Sequence, residues 1–364
     1  MSTDAKKAWR DAPSWRDDPP ATPAGPAVPD WLDIGHALEH EPPALDFVLP
    51  GYVAGSVGSI VAAGATGKTM LALQIAVHVA GGEDTLALEG VAGWKPTSGR
   101  VFYLSGEDPA DVIAGRVHAI GTYMPDADAR ARTAENLRIA PLVGYGARID
   151  EGAWRAWIEK EATDARLVII DTLRRFHGAD ENDGGEMAAL LAHLEHICRA
   201  SNASIVFLHH VSKASALNGA AGEQQASRGS SVLTDNVRWQ SNLSTMSEKE
   251  AKAAGVADDL RRRFVRLGFP KMNYGPPVAD LWFQRERGGV LRPAPQIGAA
   301  AAAAPAARAG KKKGAGKGGA PAAPAGVVGD GIDAGGDLSM AAILEARAIP
   351  APPKIGEGHD DDNW

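Results

Sequence analysis

The sequence predicts an α/β protein: a mostly parallel central sheet covered by helices on both faces, continued by an antiparallel C-terminal extension. Three observations carry that reading. Apolar runs rich in β-branched residues alternate with amphipathic stretches of helical period, the pattern of strands buried on both faces and joined by crossover helices. One of these runs leads through Gly64-Ala65-Thr66-Gly67-Lys68-Thr69 straight into a helical stretch. After residue 230 the alternation gives way to further strand-like runs in close succession.

In chain order, the strand-like runs of the parallel part are residues 56–63, 100–105, 137–142, 166–170 and 203–209. Helical patterns occupy 69–80, 108–123, 151–165 and 186–200, and Pro109 suits a first helical turn, where a missing N–H costs nothing. The extension reads as strands at 237–246, 264–269 and 281–291, the last interrupted by a Gly288-Gly289 turn.

The ends of the chain differ from this core. Residues 1–43 are Pro-rich and charged without sustained periodicity, a flexible N-terminal segment. Residues 299–326 contain only Ala, Pro, Arg, Gly and Lys, too little apolar area to offset chain entropy, so 296–337 reads as a flexible linker. A short helix-like run (338–347) and an acidic end (Asp360 to Trp364) complete a segment over 338–364, either a partner-binding tail or a solvated one. Between the tails lies a domain over 44–295, about 250 residues, ample for one closed core.

The single cysteine, Cys198, sits in an apolar helical pattern and is expected to be a buried thiol. One cysteine allows no disulfide within the chain, which fits a cytoplasmic location. No apolar run reaches the length of a membrane span, and the first residues lack a signal-peptide core. A net charge of −7 argues against a basic coat for nucleic acid, but not against a ring with a locally basic lining.

The chemistry begins at the loop. Glycines there let backbone N–H groups close on phosphate oxygens, and the following helix adds its unpaired N-terminal donors. The segment Gly64, Ala65, Thr66, Gly67, Lys68, Thr69 and Met70 is therefore the expected nucleotide cradle, with Lys68 on the β/γ-phosphates and the Thr69 hydroxyl on Mg²⁺. The usual pattern has glycine where this chain has Ala62. About 100 residues on, an apolar strand ends in Asp171, the position of a Walker B carboxylate that holds a metal-bound water. A second strand tip, Tyr103 to Asp108, carries acids. Glu107 is the candidate base for the attacking water, and Asp108 before Pro109 is the candidate helix cap.

A third tip ends in His209-His210. Strand neighbours face opposite ways, so only one can reach a nucleotide, and His210 is the expected γ-phosphate contact. A zinc site and a core histidine are the alternatives, and no other His or Cys stands nearby at ligand spacing. Residues 212–231 follow, a 20-residue Gly/Ala/Ser/Gln stretch too long for an ordinary connection and expected to be a mobile binding element. Lys213 and Arg228 within it, and Arg174 and Arg175 after the Asp171 strand, offer charge to a phosphate backbone or form plain surface ion pairs. Arg238, early in a strand, is a candidate arginine finger for a neighbouring subunit.

Several of these strings are long and unusual. They are the 45–50 run LDFVLP, the 67–74 run GKTMLALQ, the 171–177 run DTLRRFH, IVFLHH, QQASRGSS, the 235–241 run and Asn273-Tyr274-Gly275. Over roughly residues 45–293 the chain resembles the RepA-type hexameric replicative DNA helicases of IncQ plasmids, a RecA-like, DnaB-related branch of P-loop ATPases. That family also lacks the first loop glycine. The resemblance implies a RecA-like P-loop ATPase core, ATP and Mg²⁺ as ligands, and a homo-oligomeric ring translocating 5′ to 3′ on single-stranded DNA. It implies that Lys68, Glu107, Asp171, His210 and Arg238 match the family's phosphate lysine, water-activating glutamate, metal aspartate, γ-phosphate sensor and intersubunit arginine. It also places residues 212–231 where such rings carry a channel-lining DNA loop. Both ends of the chain are longer and differently composed than in that family, and a replication initiator or primase is the kind of partner they would suit. Two other readings stay open: a RecA-like recombinase that coats DNA, and a nucleotide-switched DNA-binding or loading factor with little turnover.

Overall fold

The computed structural model describes residues 31–210 and 232–303. In chain order the strands are β1 (Phe47–Leu49), β2 (Tyr52–Val53), β3 (Val57–Ala62), β4 (Val101–Ser105), β5 (Leu137–Pro141), β6 (Leu167–Asp171), β7 (Ser204–His210), β8 (Trp239–Thr245), β9 (Phe264–Met272), β10 (Leu281–Arg285) and β11 (Leu291–Pro293). The helices are α1 (Ile34–Glu39), α2 (Lys68–Gly81), α3 (Ala110–Gly121), α4 (Ala127–Asn136), α5 (Gly152–Glu161), α6 (Gly184–Ser201), α7 (Val232–Asn236), α8 (Glu248–Ala254) and α9 (Pro295–Ala303).

Every residue of β3, β4 and β6 is buried, as strands covered on both faces require. They belong to a nine-stranded sheet in the order β11-β10-β9-β8-β3-β7-β6-β4-β5. The pairings from β8 through β5 are all parallel. Those joining β8, β9, β10 and β11 are antiparallel. This is an α/β architecture, a mostly parallel sheet with an antiparallel C-terminal extension, in which the loop-bearing strand β3 is separated from the Asp171 strand β6 by β7.

The two faces of the sheet can be read residue by residue. Val101 and Tyr103, Leu167 and Ile169, Val206 and Leu208 pack in one core with α2, α3 and α4. Their neighbours Phe102 and Leu104, Val168 and Ile170, Ile205 and Phe207 pack in the other with α5 and α6. By the period of two, Asp171 and His210 continue the α2 side and His209 the α6 side. Helix α2 is buried at every position but Thr69, its polar Lys68, Gln74 and His78 included, as a helix inside the core must be.

The extension is tied to α2 by one side chain. Gln74 donates to the Leu291 carbonyl (2.9 Å) and to Thr85 (2.9 Å), while its Oε1 accepts from the Leu291 N–H (2.8 Å). Gln74 is completely buried, so these bonds substitute for water at groups that otherwise have none.

The sequence left several elements unread. Helix α4 (ADARARTAEN) buries only Ala129 and Thr133, so it has no apolar stripe to detect. Its polar side chains instead cap the end of α2: Arg132 donates to the Gly81 carbonyl and Asn136 to that of Ala80. A Cβ on Gly81 would collide with Thr133 Oγ1 and come within 2.6 Å of the Ala129 carbonyl, which is why glycine stands at this crossing. Helix α5 stops at Glu161 rather than 165, because the turn into β6 takes Asp164 into the left-handed region (φ 56°). The strand expected from 237 begins at Trp239, since α7 occupies 232–236 and delays entry into the ladder. Within the segment expected to be structureless up to 43, α1 forms a short helix with no buried residue. Helix α9 likewise extends over Pro295–Ala303, into the expected linker, with Ile297 packing beside Trp282 and Ala294. Residues 1–30 and 304–364, including the rest of that linker and the 338–364 segment, lie outside the described residues. Cys198 is buried, and burial pushes its thiol up to about 12. Among the described residues no helix is long and apolar enough to cross a membrane.

Candidate nucleotide-binding site

The loop after β3 turns through two left-handed positions, Ala65 (φ 58°) and Gly67 (φ 97°), the latter capping α2. Glycine meets this conformation without strain. Ala62, where the usual pattern has glycine, is the last ladder residue of β3, paired with His210 on one side and Leu243 on the other. Its φ is not positive and its side chain is in the core, so nothing at that position calls for glycine.

Lys68 folds back over the loop. Its Nζ donates to the carbonyls of Ala62 (3.1 Å) and Ala63 (3.0 Å) and lies 3.3 Å from His210 Nδ1. Burial lowers the ammonium pKa, and the charges of Asp171 and Glu107 oppose that shift. The lysine is therefore held along the strand tips with both carboxylates in its field.

Asp171 is buried, 2% exposed. Its Oδ2 accepts from the Tyr103 hydroxyl at 2.6 Å, while Oδ1 has no hydrogen-bond partner among the described residues. Burial raises its pKa, with Glu107 and Asp108 adding in the same direction, and the hydroxyls of Tyr103 and Thr69 work against it. A buried carboxylate oxygen with an open valence beside a hydroxyl is the donor set a hard divalent cation takes.

The β4 tip supplies the third group. Gly106 N–H donates to the Asp171 carbonyl (2.7 Å), which seats the tip against β6. Glu107 Oε1 then accepts from Thr172 Oγ1 at 3.0 Å. Asp108 does not cap the helix, contrary to the sequence expectation. Pro109 is the N-cap residue and no side chain caps it, whereas Asp108 pairs with Arg116, further along α3, at 2.7 Å. The longer-range ion pair wins because Arg116 reaches back across the helix start.

These groups meet in a cleft of about 400 Å³ at the carboxyl ends of β3, β4, β6 and β7, the crevice in which open parallel sheets bind ligands. Gly64, Ala65, Gly67, Lys68, Thr69 and Met70 form its floor, with Glu107, Thr172 and His210 at one side. Thr66 turns inward, donating to the Ala63 carbonyl at 2.8 Å. The remaining wall holds side chains that the sequence reading missed: Arg116, Arg285 and the Gly288-Gly289 turn. Arg285 Nη2 donates to the Thr66 carbonyl at 2.6 Å, its Nε has no partner, and no carboxylate pairs with it among the described residues. Burial lowers its pKa. No local signal marks this arginine, because it reaches the loop only through the β10–β11 hairpin that Gln74 anchors.

Other candidates lie elsewhere. Arg238 is exposed and precedes the first ladder residue of β8, correcting its placement within the strand. Trp239 pairs with Gly58 near the start of β3, so Arg238 stands at the opposite end of the strands from the loop. Arg174 and Arg175 are exposed in a 3₁₀ turn after β6, Leu173–Phe176. Arg174 lies 3.9 Å from Glu181. Lys213, Arg228 and the rest of 212–231 lie outside the described residues.

A family model described as "AAA domain" matches residues 22–216, more than half of the chain. Among solved structures, one titled as an ATPase domain is 16% identical, with 67% of this chain and 86% of that one covered and a TM-score of 0.47. A structure of a DnaB-like replicative helicase and its interactions with primase is also 16% identical, covering 66% of this chain and 57% of that one at a TM-score of 0.46. The RadB recombinase is 14% identical, covering 66% and 91% at a TM-score of 0.42.

Proposed function

The chain belongs to the AAA domain family, and from that membership we propose that it is an ATPase whose turnover drives a ring of identical subunits 5′ to 3′ along single-stranded DNA, a replicative helicase of the IncQ RepA type. The observation that carries the ATPase part is that Lys68, Thr69, Glu107 and His210 line one cleft, with the buried Asp171 acting electrostatically on Lys68 and coupled to Glu107 from behind it. The helicase part rests on the sequence resemblance over residues 45–293.

In this reading the loop N–H groups and Lys68 hold the β/γ-phosphates, displacing the lysine's present bonds to the Ala62 and Ala63 carbonyls. Thr69 and Asp171 would hold Mg²⁺, which neutralises charge on the phosphate oxygens when bound. Glu107 takes the proton of the attacking water while the bond from the γ-phosphorus to the β,γ-bridging oxygen breaks, leaving ADP and phosphate. His210, in contact with Lys68, exchanges that contact for the γ-phosphate and passes the change to the segment that begins at 211. Arg238 is too far along the sheet to serve its own loop, so it acts on the nucleotide of an adjacent subunit.

Steady-state ATPase measurements with and without single-stranded DNA, together with unwinding of duplexes tailed at the 5′ or the 3′ end, test the proposal. The expected result is DNA-stimulated turnover and unwinding only from the 5′ tail, abolished in Lys68→Ala. Arg238→Ala is expected to bind nucleotide yet lose turnover, and to poison wild-type subunits when mixed. Stimulated ATPase without unwinding from either tail would transfer the chain to the recombinase reading, and negligible turnover to that of a nucleotide-switched loading factor.

A further inference from the structure

Tyr103, the third residue of β4, is completely buried in the core shared with α2. For packing alone a phenylalanine would serve as well, and a hydroxyl taken out of water costs free energy unless it is bonded. Among the described residues its one side-chain hydrogen bond is the 2.6 Å donation to Asp171 Oδ2. The β4–β6 register makes this bond a diagonal one, because Tyr103 lies opposite Ile169 and it is Ser105 that lies opposite Asp171. Ser105 turns its hydroxyl to the Asp108 carbonyl instead, at 3.2 Å, so the reach from β4 falls to the tyrosine.

An aspartate carboxylate turns easily about its last torsion, whose energy profile is broad. The Tyr103 ring, packed among apolar side chains, has no such freedom, and a hydrogen bond to an anion is about twice as strong as one between neutral groups. The hydroxyl therefore fixes the carboxylate and leaves Oδ1 as its open oxygen, with the Thr69 hydroxyl beside the same group. The arrangement is reciprocal. Strand β4 supplies Tyr103 to the acid that ends β6, and Thr172, the residue after β6, supplies its hydroxyl to Glu107 at the β4 tip. Between the two bonds the Gly106 N–H donates to the Asp171 carbonyl. Each acid is held by a hydroxyl from the other's strand, which fixes the two relative to one another.

We propose that Tyr103 is a positioning residue for Mg²⁺ binding, holding Asp171 in the orientation in which its free oxygen serves the cation. The proposal rests on reading the cleft as a magnesium–nucleotide site. The Mn²⁺ affinity of the full-length chain saturated with a non-hydrolysable ATP analogue, measured by electron paramagnetic resonance, tests it. Tyr103→Phe keeps the ring and removes only the donor. It is expected to weaken Mn²⁺ binding by about tenfold or more, the usual effect of losing a hydrogen bond to a metal-binding group. Its affinity for a fluorescent ATP analogue in EDTA is expected to match wild type, and its half-maximal turnover to need about tenfold more Mg²⁺. Thr172→Val loosens the strand tips without removing a bond to the Asp171 carboxylate, and is expected to keep wild-type Mn²⁺ affinity. Wild-type Mn²⁺ affinity in Tyr103→Phe would overturn the proposal while leaving the metal–nucleotide reading intact. So would an equal loss in Thr172→Val, which would assign the effect to the tips as a whole. Loss of metal-free nucleotide binding in Tyr103→Phe would make the tyrosine a support of the fold and likewise overturn it. A wild-type chain whose nucleotide binding gains nothing from Mg²⁺ or Mn²⁺ would overturn both readings.

Discussion

The Thr172 hydroxyl donates to Glu107 Oε1 across 3.0 Å, joining two adjacent strand tips that are 65 residues apart in the chain. The carboxylate that faces the cleft is thus oriented from β6, the strand that also presents Asp171. In the proposed mechanism, a base held from β6 keeps its distance to the attacking water constant as the loops around it move. Thr172→Val removes the donor at nearly constant volume and leaves Glu107 in place. Turnover is expected to fall by about tenfold with little change in KM, whereas Glu107→Gln removes the base and costs about 10²–10⁴-fold. Steady-state kinetics on both variants checks this, and equal losses would mean that Thr172 does more than orient.

Arg285 binds the loop proposed to hold the phosphates. With the Thr66 carbonyl at 2.6 Å and an open Nε, it fixes the loop and adds positive charge to a wall that already holds Arg116. Charged hydrogen bonds of this kind contribute about 1.5–3 kcal/mol, so Arg285→Ala is expected to raise the Kd for a fluorescent ATP analogue by about tenfold or more. Unchanged affinity would reduce the arginine to a structural strut.

Gln74 is the strut itself. Gln74→Leu fills the same space but leaves the Leu291 N–H and carbonyl buried and unpaired. A loss of about 2–4 kcal/mol is expected from those two groups, read as a lower urea midpoint, with the Arg285 side of the cleft loosened as well.

The turn between β5 and α5 is held by an acid-sensitive ion pair, Arg148 with Asp150. Two hydrogen bonds from Arg148 bring the Asp150 carboxyl from its ordinary 3.8 down to about 2, and the Gly178 N–H assists. A depressed pKa in the folded state contributes stability that is complete above pH 3.8 and is lost as the pH falls through about 2. Arg148→Ala removes that contribution. Its stability, compared with wild type by urea unfolding between pH 2 and pH 6, is expected to be lower at about pH 6, and the difference is expected to shrink toward about pH 2.

Much of the site was legible because its signals are local. The GATGKT loop, the apolar run into Asp171 and the paired histidines each declare themselves within a few residues, and the period of two allowed only one histidine to reach the cleft, where the structure puts His210. The helix α4 was not legible, since its contribution is to cap the end of α2 with polar side chains rather than to bury an apolar stripe. The expected Asp108 cap failed for a related reason: local capping preference competes with any cation that folding brings near, and α3 brings Arg116.

What the sequence by itself determined is the mostly parallel sheet, the loop and the acidic strand tips, because hydrophobic period and glycine placement act over a few neighbouring residues. Only the tertiary structure decided that Thr172 holds Glu107, that Arg285 closes the loop from 219 residues away, and that Arg238 lies at the far end of the strands. Strand order sets these relationships. Order depends on how whole faces are buried against one another, and no short stretch of sequence contains that information.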